Sequence, residues 1–584
     1  MSLTASRRLA GLAALTCSVW LAPTLHAGTL DVPAQYPTIQ AAIVAAQPGD
    51  TVLVAPGTYL ETIDFLGKGI TVQSSGGAAV TTIDGGGAGS VVTFQTHETP
   101  ASVLSDLTIT GGTGTVHGPF ALLVGGGVYI NGSSPVLRDC VITGNTVANF
   151  GGGVFISETG LGTPVLIEHC VLSDNATTSA VKGGGGGLTV EHGAAVVVHS
   201  CSLLGNSTAT NGGGFLVHRN SKARIASSLI AANSAPAGPG GGGRFSTGKG
   251  SAFSSFEMTE CYVFDNSSLS GGGLSMVIDE SFQAPSAQVR RSRFEANHAS
   301  LVGGGLAGGT DASDGVWVHG SVFIANTAGA SGGGVEARKP IHLVSCTLVG
   351  NSAPVGGGMH ANAVSDLSHC IVWGNSVGQL SGATGVPEWC DVEGGAPGPG
   401  NIDVDPFFVD EASGDLHLAP TSACVDAGNP AWFPVGKDLD GDPRVLFGHI
   451  DIGADEASFP KGPWTFLGHA AAGASGEPSL VGDGTLVGGT PMTLALSGAA
   501  ANAPGWLVVG GSQILLPFKG GVMVPAPDQV LGPLGTGPSG GFAFGTTWPL
   551  GLPSGFVVTL QSWVADAGGP AGFSASNGLA AEGP

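Results

Sequence analysis

The chain has 584 residues, of which 102 are Gly and only 10% are charged, at a mean hydropathy of +0.30. Lys and Arg number 19 against 42 Asp and Glu, a net charge of −23, which excludes a nucleic-acid partner and disfavours other polyanions. The chain is too long for a single compact core, and its apolar columns are too regular for a disordered, glycine-rich linker, so the composition points to a fold that grows in one dimension.

Residues 1–27 read as a signal peptide. Arg7-Arg8 form a basic start, Leu9 to Ala22 an apolar run, and Leu25-His26-Ala27 a cleavage site. The run is short for a membrane span, and no later run is long and apolar enough, so no transmembrane span is expected once the signal is removed. The chain is therefore expected to be exported, to the extracellular space or a bacterial outer surface.

Residues 28–60 hold the one strong helix signal. Ile39, Ala42, Ile43 and Ala46 share a helical face after Pro37, and Pro48-Gly49-Asp50 ends it before the strand-like Thr51-Val52-Leu53-Val54. An amphipathic helix here is expected to act as the N-terminal cap of a solenoid, whose first coil would otherwise expose its core and strand edges.

Residues 61–375 carry the repeat. Three glycines and an apolar residue recur from Gly125-Gly126-Gly127-Val128 to Gly356-Gly357-Gly358-Met359. An Asn recurs with them at Asn145, Asn175, Asn206, Asn233, Asn266, Asn297, Asn326, Asn351 and Asn375. Counting back from each Asn, position minus three is always apolar, minus five always Cys or Ser, and minus eight again apolar. Positions minus three and minus five share strand parity; minus eight breaks it, so the residues between, such as Arg138-Asp139, are expected to bend. Stacked coils would set like residues above each other, and the Asn column is expected to form a structural amide ladder. One coil departs from the rule, because Gly241-Gly242-Gly243 is followed by Arg244. Either it slips by one and buries Phe245, or a loop interrupts it.

The stretch 31–60, continued by Gly69-Ile70-Thr71-Val72 and Thr82-Ile83-Asp84-Gly85, resembles the opening of secreted right-handed parallel β-helix proteins with the pectin-lyase-like fold. The repeats resemble those of chlamydial polymorphic outer-membrane proteins, in which Gly-Gly-small-aliphatic alternates with Phe-x-x-Asn; Phe294-Glu295-Ala296-Asn297 matches outright. The first resemblance implies an all-β, right-handed parallel β-helix.

Residues 376–456 leave the repeat and read as its closing region. Asn401-Ile402-Asp403-Val404-Asp405-Pro406, Asp415-Leu416-His417-Leu418, Asp438-Leu439-Asp440-Gly441-Asp442-Pro443-Arg444 and Asp451-Ile452-Gly453-Ala454-Asp455-Glu456 resemble the end of choice-of-anchor Q domain proteins, which implies surface sorting rather than a reaction. Asp438, Asp440 and Asp442 alternate like the start of a calcium loop and are the candidate metal ligands, although the late bidentate acid of such a loop is missing; the alternative is a tight Asp-Gly turn. Residues 457–584 lose nearly all charge, and their short apolar runs between Pro and Gly predict a small C-terminal β-sandwich.

Cys17 leaves with the signal, and six cysteines lie in the minus-five column as buried thiols. Cys390 and Cys424 remain and are expected to form a disulfide.

No residue is assigned a catalytic role. The Asp-Asp pair and Gly-His-Gly motif of polygalacturonase-type enzymes are both missing. The basic cluster Arg290, Arg291 and Arg293 has Glu260 and Tyr262 beside it in the neighbouring coil and reads as a solvated ion-paired patch. The chain therefore reads as a β-helix scaffold that binds a polysaccharide or cell-surface glycan, in an adhesive or envelope role; the alternative is a polysaccharide lyase or glycoside hydrolase on the same fold.

Overall fold

A computed structural model describes residues 27–159, 162–247, 254–278, 286–310, 315–429, 436–446, 450–458 and 462–584. The expected signal segment lies outside these residues but for Ala27. From Thr29 to Val392 the described chain is a parallel β-solenoid. One coil shows the cross-section: β1 (Leu188–Glu191), β2 (Ala195–His199), β3 (Ser202–Leu204) and β4 (Ser207–Thr208). Equivalents of β1 and β2 stack into one 24-stranded sheet, joined where Met359–Ser368 belongs to both stacks. Equivalents of β3 form a 13-stranded sheet and those of β4 a seven-stranded one.

The register is set by the apolar columns. The minus-three residues pair directly, from Ile142↔Leu172 through Phe294↔Phe323 to Leu348↔Val372, and all are buried. Phe294 and Phe323 stack with ring centroids 4.8 Å apart. The minus-eight residues pair likewise, from Leu137↔Ile167 to Leu343↔Leu367. The bend between these columns falls at minus six, where Asp139, His169, Ser200 and Glu260 all adopt left-handed φ of 52–55°. This single left-handed residue resets the alternation, so that minus eight and minus five both point inward.

The glycine triplet serves two purposes. Its first member, Gly151 for example, has φ of 64°. The next two sit where coils touch, and a Cβ on Gly153 would lie 2.6 Å from the Gly187 carbonyl oxygen. The irregular coil slips by one: Gly240 takes the left-handed position at φ 78°, Gly243 pairs with Phe215, and Phe245 is buried. The Phe215 ring fills the space that a side chain at 243 would need.

The nine asparagines form an unbroken buried ladder. Each Nδ2 donates to the Oδ1 of the next Asn at 2.9–3.0 Å, from Asn145→Asn175 to Asn351→Asn375. The same Oδ1 takes the backbone N–H of the preceding Asn, as in Asn206→Asn233 at 3.0 Å. The second Nδ2 hydrogen reaches a carbonyl one coil back, as in Asn266→Ile230 at 2.8 Å. Gly112 N–H caps one end and Gln379 Oε1 the other. Cys and Ser at minus five make a parallel ladder: the backbone N–H of Cys170 meets Cys201 Sγ at 3.3 Å, and that of Cys201 meets Ser228 Oγ at 3.1 Å. These positions therefore select a small side chain with an acceptor atom, beyond the small apolar residue their burial suggests.

Helix α1 (Ile39–Ala45) places Ile39, Ala42 and Ile43 in the same core as Val52, Val54 and Phe65. Its ends are satisfied from other coils. Glu61 accepts the N–H groups of Ile39 and Gln40, and Lys68 Nζ donates to the carbonyls of Ile43, Val44 and Ala46. Among the described residues no helix is long and apolar enough to cross a membrane.

The expected Cys390–Cys424 disulfide is corrected: both thiols are free and buried. Cys390 extends the minus-five ladder, receiving the Cys370 N–H at 3.4 Å, while the Cys424 thiol donates to Asp391 Oδ2 at 3.2 Å. From Trp464 onward the pairing is antiparallel, in sheets of six, three and two strands. Leu507, Leu560 and Leu579 of the first and Leu480, Leu494 and Leu496 of the second share one apolar cluster.

Asn266→Ala would strip partners from Asn233, from the Ile230 carbonyl and from Asn297. It is expected to lower stability by about 1–3 kcal/mol, read from the denaturant midpoint. Asn375→Ala, at the end of the ladder, is expected to cost less, and equal small losses at both sites would show that the ladder carries no weight.

Candidate functional site

Because minus eight points inward, minus nine points out. From the third asparagine onward, residues at that position lie in register on the outer face of the β2 stack: Val197, Arg224, Glu257, Gln288, Trp317, His342 and Asp366. At the spacing of parallel strands, this column presents one side chain about every 4.8 Å along the solenoid. Its character changes along its length. Arg224 Nε lies 3.7 Å from Glu257, Gln288 accepts from Arg290 Nε at 3.0 Å, and Trp317 stacks on His342 with ring centroids 4.3 Å apart.

Two imidazoles pack against the Trp317 ring. His319 stacks on it in nearly parallel planes at 5.5 Å, and His342 is fixed by a 2.9 Å contact from its Nδ1 to Asp366. Burial, together with the charges of Arg290 and His342, lowers His319 to about 4, so its ring is neutral at neutral pH. At the other end of the column Val197, Lys222, Arg224, Glu257 and Gln288 line a shallow cleft of about 420 Å³.

A second cleft, of about 400 Å³, lies where the closing region folds over the outer face of the β3 stack. Arg444 fixes this packing, donating to Ser345 Oγ and to the Asp451 and Asp455 carbonyls. Gly453 N–H bonds the His369 carbonyl, and a Cβ at 453 would meet Ile371 at 2.7 Å. In the cleft, half-exposed His417 bridges Asp415 (2.5 Å) and Asp440 (2.8 Å), and these contacts, Asp415 foremost, raise it to about 9. Burial raises Asp455 to about 6. The ligand atoms of His417, Asp440 and Asp455 lie within 4.8 Å of one another.

The sequence-predicted metal residues do not converge. Asp438 Oδ1 accepts the N–H groups of Asp440, Gly441 and Asp442, and Oδ2 that of Glu456. It is the staple of a tight turn, with its lone pairs spent on backbone. Asp440 turns away to His417 instead, and a calcium ion shared by Asp438, Asp440 and Asp442 does not fit this geometry. Three other buried acids of the closing region act as Asp438 does: Asp451 accepts from Asp426 and Ala457, Glu456 from Leu446 and Asp451, and Asp391 from Val404.

The basic cluster is engaged as an ion-paired patch. Arg291 meets Glu260 at 2.6 Å, and Arg293 meets Glu295 at 2.7 Å and the Gly414 carbonyl at 3.0 Å. Sequence reasoning missed the minus-nine column, although one more step back from each Asn reaches it. It also left His417 without a role, because its second partner, Asp440, is 23 residues away.

Residues 99–284 match the family model described as "Right handed beta helix region". Among solved structures, the chain is similar to the receptor-binding protein of bacteriophage Det7, a podoviral tailspike in a myovirus. That match has 10% identity and a TM-score of 0.26, over 81% of this chain and 86% of that one. It is also similar to the Siphovirus 9NA tailspike receptor binding domain, at 10% identity and a TM-score of 0.27, over 94% and 98%. No curated protein matches the chain.

Burial raises Asp391 to about 7, Asp451 to about 6 and Glu456 to about 8. A carboxyl whose folded pKa is raised stabilises the fold fully below its unfolded value, and that contribution is lost as pH rises through the folded value. Thermal stability of the closing region is therefore expected to fall between about pH 4 and pH 8. In Asp391→Asn the fall should be shallower, as read by tryptophan fluorescence; an unchanged slope would contradict this assignment.

Proposed function

We propose that the chain is an exported surface scaffold that binds a polysaccharide or cell-surface glycan along the outer face of the β2 stack. One observation carries the reading: the in-register column from Arg224 to Asp366, with the Trp317 ring packed against His319 and His342. A fixed aromatic ring offers an apolar face to the C–H side of a sugar, and the flanking Arg, Glu and Gln side chains exchange hydrogen bonds with its hydroxyls. The repeat along the solenoid matches an extended, repeating ligand. The net charge of −23 favours a neutral glycan over a uronate polymer. In this reading residues 1–27 are removed on export, α1 is the lid of the first coil, residues 376–456 close the helix, and residues 457–584 form a sandwich that serves surface attachment.

A glycan array with the mature protein should return neutral polysaccharides, and titration calorimetry should then give one binding face. Trp317→Ala is expected to weaken binding about tenfold, or about 1.4 kcal/mol, and Arg224→Ala to weaken it less. Full affinity in both variants would remove the column from the site.

The alternative is cleavage in the closing cleft. It draws on the raised Asp455, an acid that is partly protonated near neutral pH, beside Asp440, His417 and Arg293. Incubating the array-selected glycan with protein and following reducing ends and unsaturated products separates the two. No turnover above a heat-killed control is expected; turnover lost in Asp455→Asn would promote the enzyme reading.

A further inference from the structure

The outer face of the β1 stack carries a cluster of polar side chains that the glycan reading does not use. A hairpin, Thr115–His117 paired with Leu122–Val124, folds over this face. His117 packs beneath it against Phe155, with centroids 5.1 Å apart, and its Nδ1 meets the Tyr129 hydroxyl at 3.0 Å. Asn131, Ser157 and Glu191 stand in register on successive coils below it.

Glu191 is the unusual member. Its side chain is only 1% exposed, although it carries a carboxylate. Oε2 lies 2.8 Å from His218 Nε2 and 3.2 Å from Arg219 Nη1, while Oε1 lies 3.2 Å from His192 Nδ1. Burial pushes the carboxyl up, but His218, His192 and Arg219 outweigh it and hold it below its ordinary value, so it is ionised. Burial also lowers His218, which keeps that ring neutral. Glu191 Oε1 accepts no hydrogen bond, and the buried Ser157 Oγ and Asn131 Oδ1 beside it have no hydrogen-bond partner either. A buried, ionised carboxylate oxygen that accepts no hydrogen bond is costly in a dry site. A cation resolves it.

We propose that His117, Glu191 and His192 bind a divalent transition-metal ion of the zinc class. Their ligand atoms already lie within 4.8 Å of one another. Metal–ligand distances of about 2.0–2.2 Å in tetrahedral geometry place ligand atoms about 3.4 Å apart. His192, whose side chain is 42% exposed, has room to make that adjustment. Two imidazoles and one carboxylate suit zinc, cobalt or nickel, whereas calcium and magnesium require oxygen donors. The Tyr129 hydroxyl engages His117 Nδ1 and leaves Nε2 for the metal; His218 and Arg219 hold the second carboxylate oxygen, the kind of outer support that orients metal ligands. The fourth position is left to water or to a ligand group. Because His117 belongs to the hairpin and Glu191 and His192 follow it by 74 and 75 residues in a later coil, the ion clips the hairpin to the solenoid.

The test uses the full-length mature chain stripped with chelator and titrated with ZnCl2 and, separately, CoCl2. It is run in a His417→Ala background, because His417, Asp440 and Asp455 form the other such group among the described residues. One equivalent of zinc is expected, together with the visible bands of tetrahedral cobalt, protection of the 115–124 hairpin from hydrogen exchange, and no displacement by excess calcium. His117→Ala and His192→Ala should each lose the bands and weaken zinc binding at least tenfold while keeping the metal-free melting temperature. Glu191→Gln should do the same if it folds, and the exposed His192 variant decides the matter if it does not. No zinc uptake, uptake unchanged in both histidine variants, or displacement by calcium would each overturn the site.

Discussion

The repeat from Asn145 to Asn375 depends on a hydrogen-bonded amide ladder that permits one coil spacing and one register. An Asn at each coil uses its amide to reach the next Asn, the previous coil's carbonyl and a backbone N–H at once. Those bonds form only when successive coils are in register and a strand spacing apart. In a core otherwise built of Val, Ile, Leu and Phe, an unpaired amide would be costly, so any slip of one coil against the next is penalised on top of the loss of apolar stacking. The Cys/Ser ladder at minus five applies the same constraint from a second corner of the cross-section.

Exact stacking turns a sequence period into a surface. Each outward position becomes a line of side chains, and the chain can alter one line without disturbing the core. The minus-nine line runs from Val197 through charged and amide groups to Trp317, His342 and Asp366. Minus eight beside it stays apolar in every coil, and minus ten stays buried, apolar from Val196 to Ile341 and then Ser365. Irregularities are absorbed locally, as where Gly243 and Phe215 share one layer's volume between two coils.

The closing region solves a different problem. It has little regular structure, so its backbone N–H groups lack ladder partners, and buried carboxylates supply them. Most of its acid is therefore structural. In the cleft, Asp440 and Asp455 depart from this, because His417 draws the first to itself and, among the described residues, the second accepts no backbone staple of the kind that occupies Asp438 and Asp451. The same contrast separates Glu191 from the exposed acids of the solenoid: a carboxylate matters chemically where the fold buries it without satisfying it.

The sequence by itself determined the solenoid, its columns, its bends and its asparagine ladder, because these follow from local periodicity and each residue type there does one repeated job. It also carried the minus-nine line in plain view, as an extension of the same count. The tertiary structure alone decided the rest. The spacing of Asp438, Asp440 and Asp442 suggested one site, but the turn spent Asp438 on backbone N–H groups and sent Asp440 to His417. Cys390 and Cys424 looked like a leftover pair, but one joined the ladder and the other found Asp391. His117 meets Glu191 and His192 only because a hairpin lies over coils that follow it. Stacking a solenoid brings together residues one or more whole coils apart, and the coil lengths vary, so no fixed spacing in the chain records which side chains will meet.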